Sequence, residues 1–134
     1  MSKDVIEKVL EMAGHLKHVY LATADEEGLP HLGVAGRLEV TPEGDFAVSE
    51  WFCPGTLSNA QANPRVSLVV WRPDIDSGYQ ILGEIIEIRE LAMLNGYSRE
   101  QGGGNRIPQV ERQLVIRAEK VMAFQHAPHS DLEE

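Results

Sequence analysis

Ser58-Asn-Ala-Gln-Ala-Asn-Pro-Arg-Val-Ser-Leu-Val-Val-Trp71 is the stretch whose reading decides the fold. Asn63-Pro64 must end any helix before it, because the proline ring disfavours the helical conformation in the preceding residue. Upstream, Thr56 offers an N-cap for a short helix over Leu57 to Ala62. Downstream, Arg65 to Trp71 is rich in β-branched and apolar residues and reads as a strand.

Working outward, the segment before the helix is extended. His18 to Ala24 is β-branched and aromatic and closes in the turn Asp25-Glu-Glu-Gly28. Pro30 to Val40 makes a second, longer extended stretch, interrupted by Gly33 and Gly36. Glycines inside a strand suggest a bulge or the close approach of a ligand to the backbone. Thr41 to Asp45 turns the chain into Phe46 to Ser49, and Trp51 to Gly55 is a loop. At the N-terminus, Val5, Ile6, Val9, Leu10 and Ala13 fall at helical spacing over Asp4 to Ala13, with Ser2 as N-cap and Gly14 as stop.

Beyond the turn Arg72 to Gly78, the run Tyr79 to Arg89 carries Ile81, Ile85 and Ile88 and is expected as a long strand. Glu90 to Asn95 is expected as a helix stopped by Gly96, Ser98 to Pro108 as a mobile loop around Gly102 to Gly104, and Gln113 to Phe124 as the last strand. The polar, acidic tail Gln125 to Glu134 is expected to fray. Strands in hairpin order, with short helices and no βαβ rhythm, predict a mainly β protein: a six-stranded antiparallel barrel with peripheral helices. Residues 1–134 are expected to form a single domain, with an N-terminal helix over 1–14 and the tail over 125–134.

Composition narrows the partners. Twelve basic residues against twenty-one acidic ones give a formal charge of −9, and such a surface repels a phosphate backbone, so nucleic acid is not an expected partner. Apolar runs such as Val66 to Trp71 are far shorter than a membrane span, and Met1-Ser-Lys-Asp4 opens a polar amphipathic segment rather than a signal peptide. The single Cys53 excludes an intrachain disulfide and fits a reducing compartment. A cytoplasmic protein is expected, and any anion it binds must be held locally by amides, hydroxyls and a few placed arginines.

The helix ending in Asn63-Pro-Arg-Val66 with its following strand, together with Gly78-Tyr-Gln-Ile-Leu-Gly-Glu84, resembles the FMN-binding split barrels of the pyridoxamine 5'-phosphate oxidase-like family over roughly His18 to Ile88. The resemblance implies a homodimer that holds FMN at its subunit interface and works as a small oxidoreductase on a small-molecule substrate or with a redox partner. Two alternatives stand beside it: the same fold binding haem or a deazaflavin, and a non-catalytic dimeric binding module without cofactor. The chain departs from the family at Pro54-Gly55-Thr56, where many relatives carry a basic pair, and no catalytic residue can be named.

The implied cofactor site places the phosphate at the start of the short helix, with Thr56, Leu57 and Ser58 offering amides and hydroxyls and Asn59 one turn in. Thr56 as a mere cap is the alternative. The ring would lie along Val34, Ala35 and Gly36, small enough for a flat ring to reach the backbone, or these are ordinary barrel core. Arg37 is the nearest strong cation for the phosphate, unless it pairs with Glu39 or Glu50. Ser49, Glu50, Trp51 and Phe52 run over the expected ring, where the aromatics either shield it or pack an interface or the core. Tyr79 and Gln80 are weaker polar candidates. His15/His18 and His126/His129 have chelating spacing, but Gly14 and Pro128 spoil the helices they need, so no metal site is expected. Cys53 lacks a neighbouring histidine in sequence, and Gly102 to Gly104 lacks the rest of a phosphate-loop motif.

Overall fold

The computed structural model describes residues 2–51, 53–94 and 109–128. Phe52, the loop Ser98 to Pro108 and His129 therefore lie outside the described residues. In chain order the elements are α1 (Lys3–Leu16), β1 (Val19–Ala24), β2 (Pro30–Ala35), β3 (Arg37–Val40), β4 (Phe46–Ser49), α2 (Pro54–Ala62), β5 (Arg65–Arg72), β6 (Ser77–Leu94) and β7 (Gln109–Ala123). The seven strands form one antiparallel sheet in the order β2-β1-β5-β6-β7-β4-β3.

That order dictates the shape. β2 and β3 are the two edges of the sheet, yet only Gly36 separates them in the chain. Edge strands one residue apart require the sheet to curl until its edges nearly meet, as in a split barrel. The expected single stretch Pro30 to Val40 is thus two strands, and the sheet has seven strands rather than six. Gly36 is the break because its amide leaves the ladder to donate to the carbonyl of Glu50 at 3.0 Å. A Cβ there would stand 2.7 Å from Oε1 of Glu50.

Strand alternation sorts the side chains. Gly33, Leu21, Leu68, Ile81 and Val121 lie in one cross-strand row and all point inward, while the neighbouring row Val34, Tyr20, Val69, Gln80 and Met122 points outward. The inner row joins Phe46, Val48, Leu114 and Ile116 in the core. Fully burying such a side chain contributes about 1.5–3 kcal/mol. α1 lays Val9 and Ala13 against this core. Its Ser2 N-cap accepts from the amide of Val5, as expected, but the helix runs past Gly14 to Leu16 and stops at Lys17 in the left-handed region, φ 62°.

One further expectation needs correcting. Glu90 to Asn95 is not a helix as far as it is described: β6 continues as strand to Leu94, paired with β7 down to Gln109. The helix-like spacing of Ile85 and Ile88 arises from bulges. Ile85 faces Ile116 and Glu87 faces Val115, so Ile86 has no partner, and a second irregularity follows at Leu91. After β7, the amides of His126 and Ala127 donate to Asp76 at 2.7 and 3.1 Å, and 129–134 lie outside the described residues.

Candidate functional site

α2 begins three residues earlier than the sequence suggests. Its N-cap is Cys53, without a side-chain cap bond, and Pro54 occupies the first turn, where a missing N–H is harmless. Thr56 is therefore not the N-cap. It lies inside the first turn, fully buried, and its hydroxyl has no hydrogen-bond partner. The reason is packing against β2: the Thr56 oxygen lies 2.8 Å, and Cys53 Sγ 3.5 Å, from the point where a Cβ on Gly33 would begin.

One residue earlier, a Cβ on Gly55 would lie 3.0 Å from Nε2 of His31, whose other ring nitrogen is buried without a partner. His31, Gly33 and Ala35 share the inward face of β2, so the edge strand presents His31 directly to the uncapped start of α2. A helix start leaves backbone N–H groups unsatisfied and carries partial positive charge. With two orphaned buried polar atoms and a glycine whose missing side chain lets the histidine ring pack against the helix start, the junction has the chemistry of an anion cradle.

The remaining predicted residues divide into separate places. Asn59 donates to Thr23 Oγ1 at 3.1 Å and ties α2 to β1. Ser58 is exposed and Leu57 half-buried against the core. Gly36, Arg37 and Glu50 line a cavity of about 500 Å³ with Lys17 and Glu39. Arg37 sits there 3.5 Å from Glu39 and 3.9 Å from Glu50, so its charge is already flanked by carboxylates. Ala35, Ser49 and Trp51 are buried, and the Trp51 indole donates to the carbonyl of Val48. Val34 and Gln80 lie on the outer face, where Gln80 Nε2 donates to Ser67 at 2.8 Å.

That outer face is apolar at one edge. Leu32, Val34 and Tyr20 are 66%, 49% and 38% exposed. Beside them a groove of about 320 Å³ runs over Ala22, Ala24, Ser67 and Gly83, with Arg65 at its side. Sequence reasoning missed both His31 and this groove. Arg65 was visible as part of Asn63-Pro-Arg but served there only as a fold signal. His31 carries no local motif and gains its position only when α2 docks on β2. Among the described residues no group of three His, Cys, Asp or Glu side chains is placed to hold a metal.

A family profile described as pyridoxamine 5'-phosphate oxidase matches residues 5–123. The chain belongs to that family. Solved structures agree on the fold. A protein from Clostridium acetobutylicum related to general stress protein 26 of Bacillus subtilis, assigned to the pyridoxinephosphate oxidase family, superposes with TM-score 0.64 at 18% identity, covering 94% of this chain and 92% of its own. A pyridoxamine 5'-phosphate oxidase-related, FMN-binding protein from Nostoc punctiforme gives 0.59 at 13% identity, with 93% and 87% covered. HutZ, the heme storage protein of Vibrio cholerae, gives 0.56 at 15% identity, with 91% and 94% covered. A search of curated proteins finds no significant match. This member of the pyridoxamine 5'-phosphate oxidase family thus shares its split barrel with proteins that handle different cofactors, and the cofactor must be argued from its own residues.

Proposed function

We propose that the protein is a homodimeric, cytoplasmic FMN-binding protein that works as a small oxidoreductase. The observation that carries this reading is the junction of β2 with α2. The free edge of β2 offers unpaired backbone groups to a ring, and it leads to the helix start where Gly55, Thr56 and His31 converge. The amides of Gly55 and Thr56, the Thr56 hydroxyl and the His31 ring would hold the phosphate in place of the family's basic pair. Val34 and Gly36 would flank the ring on the edge strand. The apolar patch of Tyr20, Leu32 and Val34 would be covered by the second copy.

Bound flavin supplies hydride or electron transfer, and the protein supplies binding, orientation and exclusion of water. A second reading, haem at the same junction, draws on the likeness to the Vibrio cholerae heme storage protein and on the absence of a basic pair at Pro54-Gly55-Thr56.

The test is the visible spectrum of protein purified without added cofactor, with sedimentation measured alongside. A flavin spectrum in a dimer supports FMN, and a Soret band assigns haem. A stable monomer, or no chromophore after incubation with FMN and with haem, overturns the proposal.

A further inference from the structure

We propose that Cys53 is a modification site: a peroxide oxidises its thiol, and the oxygen gained completes the open cap of α2. The inference concerns the chain's own groups and holds whether or not FMN binds beside them.

Helix caps favour Ser, Thr, Asp or Asn because a side-chain oxygen accepts from the amides of the second or third helical residue. In α2 the cap position holds a sulfur instead, and Cys53 makes no side-chain cap bond. With Pro54 as the first helical residue, the amides that a cap oxygen would serve are those of Gly55 and Thr56. A second, independent observation points to the same missing atom. The Thr56 hydroxyl is fully buried and has no hydrogen-bond partner. It lies 2.8 Å, and Cys53 Sγ 3.5 Å, from the point where a Cβ on Gly33 would begin. Hydroxyl and sulfur therefore border one space that Gly33 leaves unfilled. An oxygen carried on Sγ would accept from the Thr56 hydroxyl and from the two amides.

The thiol is half-buried, within reach of a small oxidant. Its sulfur attacks one oxygen of hydrogen peroxide. The S–O bond forms as the O–O bond breaks, and the departing hydroxide takes the thiol proton and leaves as water. Sulfur gives up two electrons to the peroxide and becomes a sulfenic acid. A second equivalent of peroxide gives the sulfinic acid, whose anion suits the partial positive charge of a helix start. Oxidation of Cys53 thus stabilises the fold.

Full-length protein freed of any flavin and treated with hydrogen peroxide tests the site. Peptide mass mapping should find Cys53 first as a sulfenic acid, trapped by dimedone, and then as a sulfinic acid. The melting temperature should rise by about 2 °C or more. Cys53→Ala, treated alike, corrects for oxidation of the four methionines and should show no rise. Cys53→Asp, which supplies a cap oxygen and the negative charge, should show the rise without peroxide. Thr56→Val should lose about half of the oxidation-dependent rise. Absence of oxygen on Cys53, a melting temperature unchanged or lowered by its oxidation, an equal rise in Cys53→Ala, or a rise kept in full by Thr56→Val would each overturn the assignment.

Discussion

The hydroxyl of Thr56 lies 2.8 Å from where a side chain on Gly33 would begin, and it is buried there without a hydrogen-bond partner. Helix α2 thus docks on the edge strand through a contact that only glycine permits. Gly33→Ala would force Thr56 to move inside a packed site, at a cost of about 1–3 kcal/mol. Urea unfolding measures this, and Gly33→Ala combined with Thr56→Ala should recover part of the loss. Additive losses would show that the two residues do not share the space.

Removing the orphaned hydroxyl separates stability from binding. Thr56→Val deletes a buried polar atom that makes no bond, so stability should stay within about 1 kcal/mol or rise. FMN affinity should fall, because the hydroxyl is one of the groups proposed to meet the phosphate. Thermal unfolding and fluorescence titration with FMN read the two effects, and a marked drop in stability would contradict an unpartnered hydroxyl.

Two side chains compete for the role of phosphate partner, and the geometry chooses between them. From the sequence, Arg37 as the clamp predicts a ten- to hundred-fold loss of FMN affinity in Arg37→Ala, by the usual strength of a charge-assisted bond. In the structure Arg37 is 59% exposed and flanked by Glu39 and Glu50. Arg37→Ala should therefore change FMN affinity by less than about threefold and stability by less than about 1 kcal/mol. His31→Ala should weaken FMN by about tenfold. The reverse ranking in equilibrium titration would move the phosphate to the Arg37 cavity.

Asp76 joins the β5–β6 turn to the chain after β7. Its carboxylate accepts from the amide of His126, the indole of Trp71 and the amide of Ala127. These bonds, that from His126 foremost, hold its pKa below the usual carboxylate value. A depressed folded-state pKa means that the bonds contribute above the unfolded-state value, about 3.9, and are lost as pH falls through the lower folded value. Hydrogen exchange at His126 and Ala127 should therefore lose its protection only in that acid range. Asp76→Ala should abolish protection at every pH, and protection that survives the substitution would show the tail is held elsewhere.

On the outer face, Val34→Glu and Tyr20→Glu place charge where a second copy is proposed. Sedimentation should show monomer and FMN should be lost, while surface substitutions of this kind leave protomer stability within about 0.5 kcal/mol. A dimer that persists in the double variant would place the interface on another face.

Much of the fold is legible in the sequence because it is written in local rules. Asn63-Pro64 ends α2 and starts β5, and Asn63 does more than stop the helix: its side chain accepts from the amide of Arg65 and donates to the carbonyl of Asp25. Ser2 caps α1 as its hydroxyl requires, and the turns at Asp25 to Gly28 and Thr41 to Asp45 fall where their residues put them. The site was less legible. Thr56 looks like a cap by residue type, but docking against Gly33 turns it inward, and only the packing decides that Trp51 is core rather than a cover for a ring.

By itself, then, the sequence determined helices α1 and α2, the hairpin order of most strands and the family, since proline, glycine and apolar spacing act over a few residues. Only the tertiary structure decided that Pro30 to Val40 is two strands on opposite edges, because β2 pairs back on β1 and β3 forward on β4, and these two stand at opposite ends of the sheet. It alone decided that Ile86 bulges out between two inward isoleucines, since that depends on the register with β7. It alone brought His31 to Gly55, across more than twenty residues of chain. Such contacts are set by how a curled sheet seats a helix on its edge, and no local pattern records them.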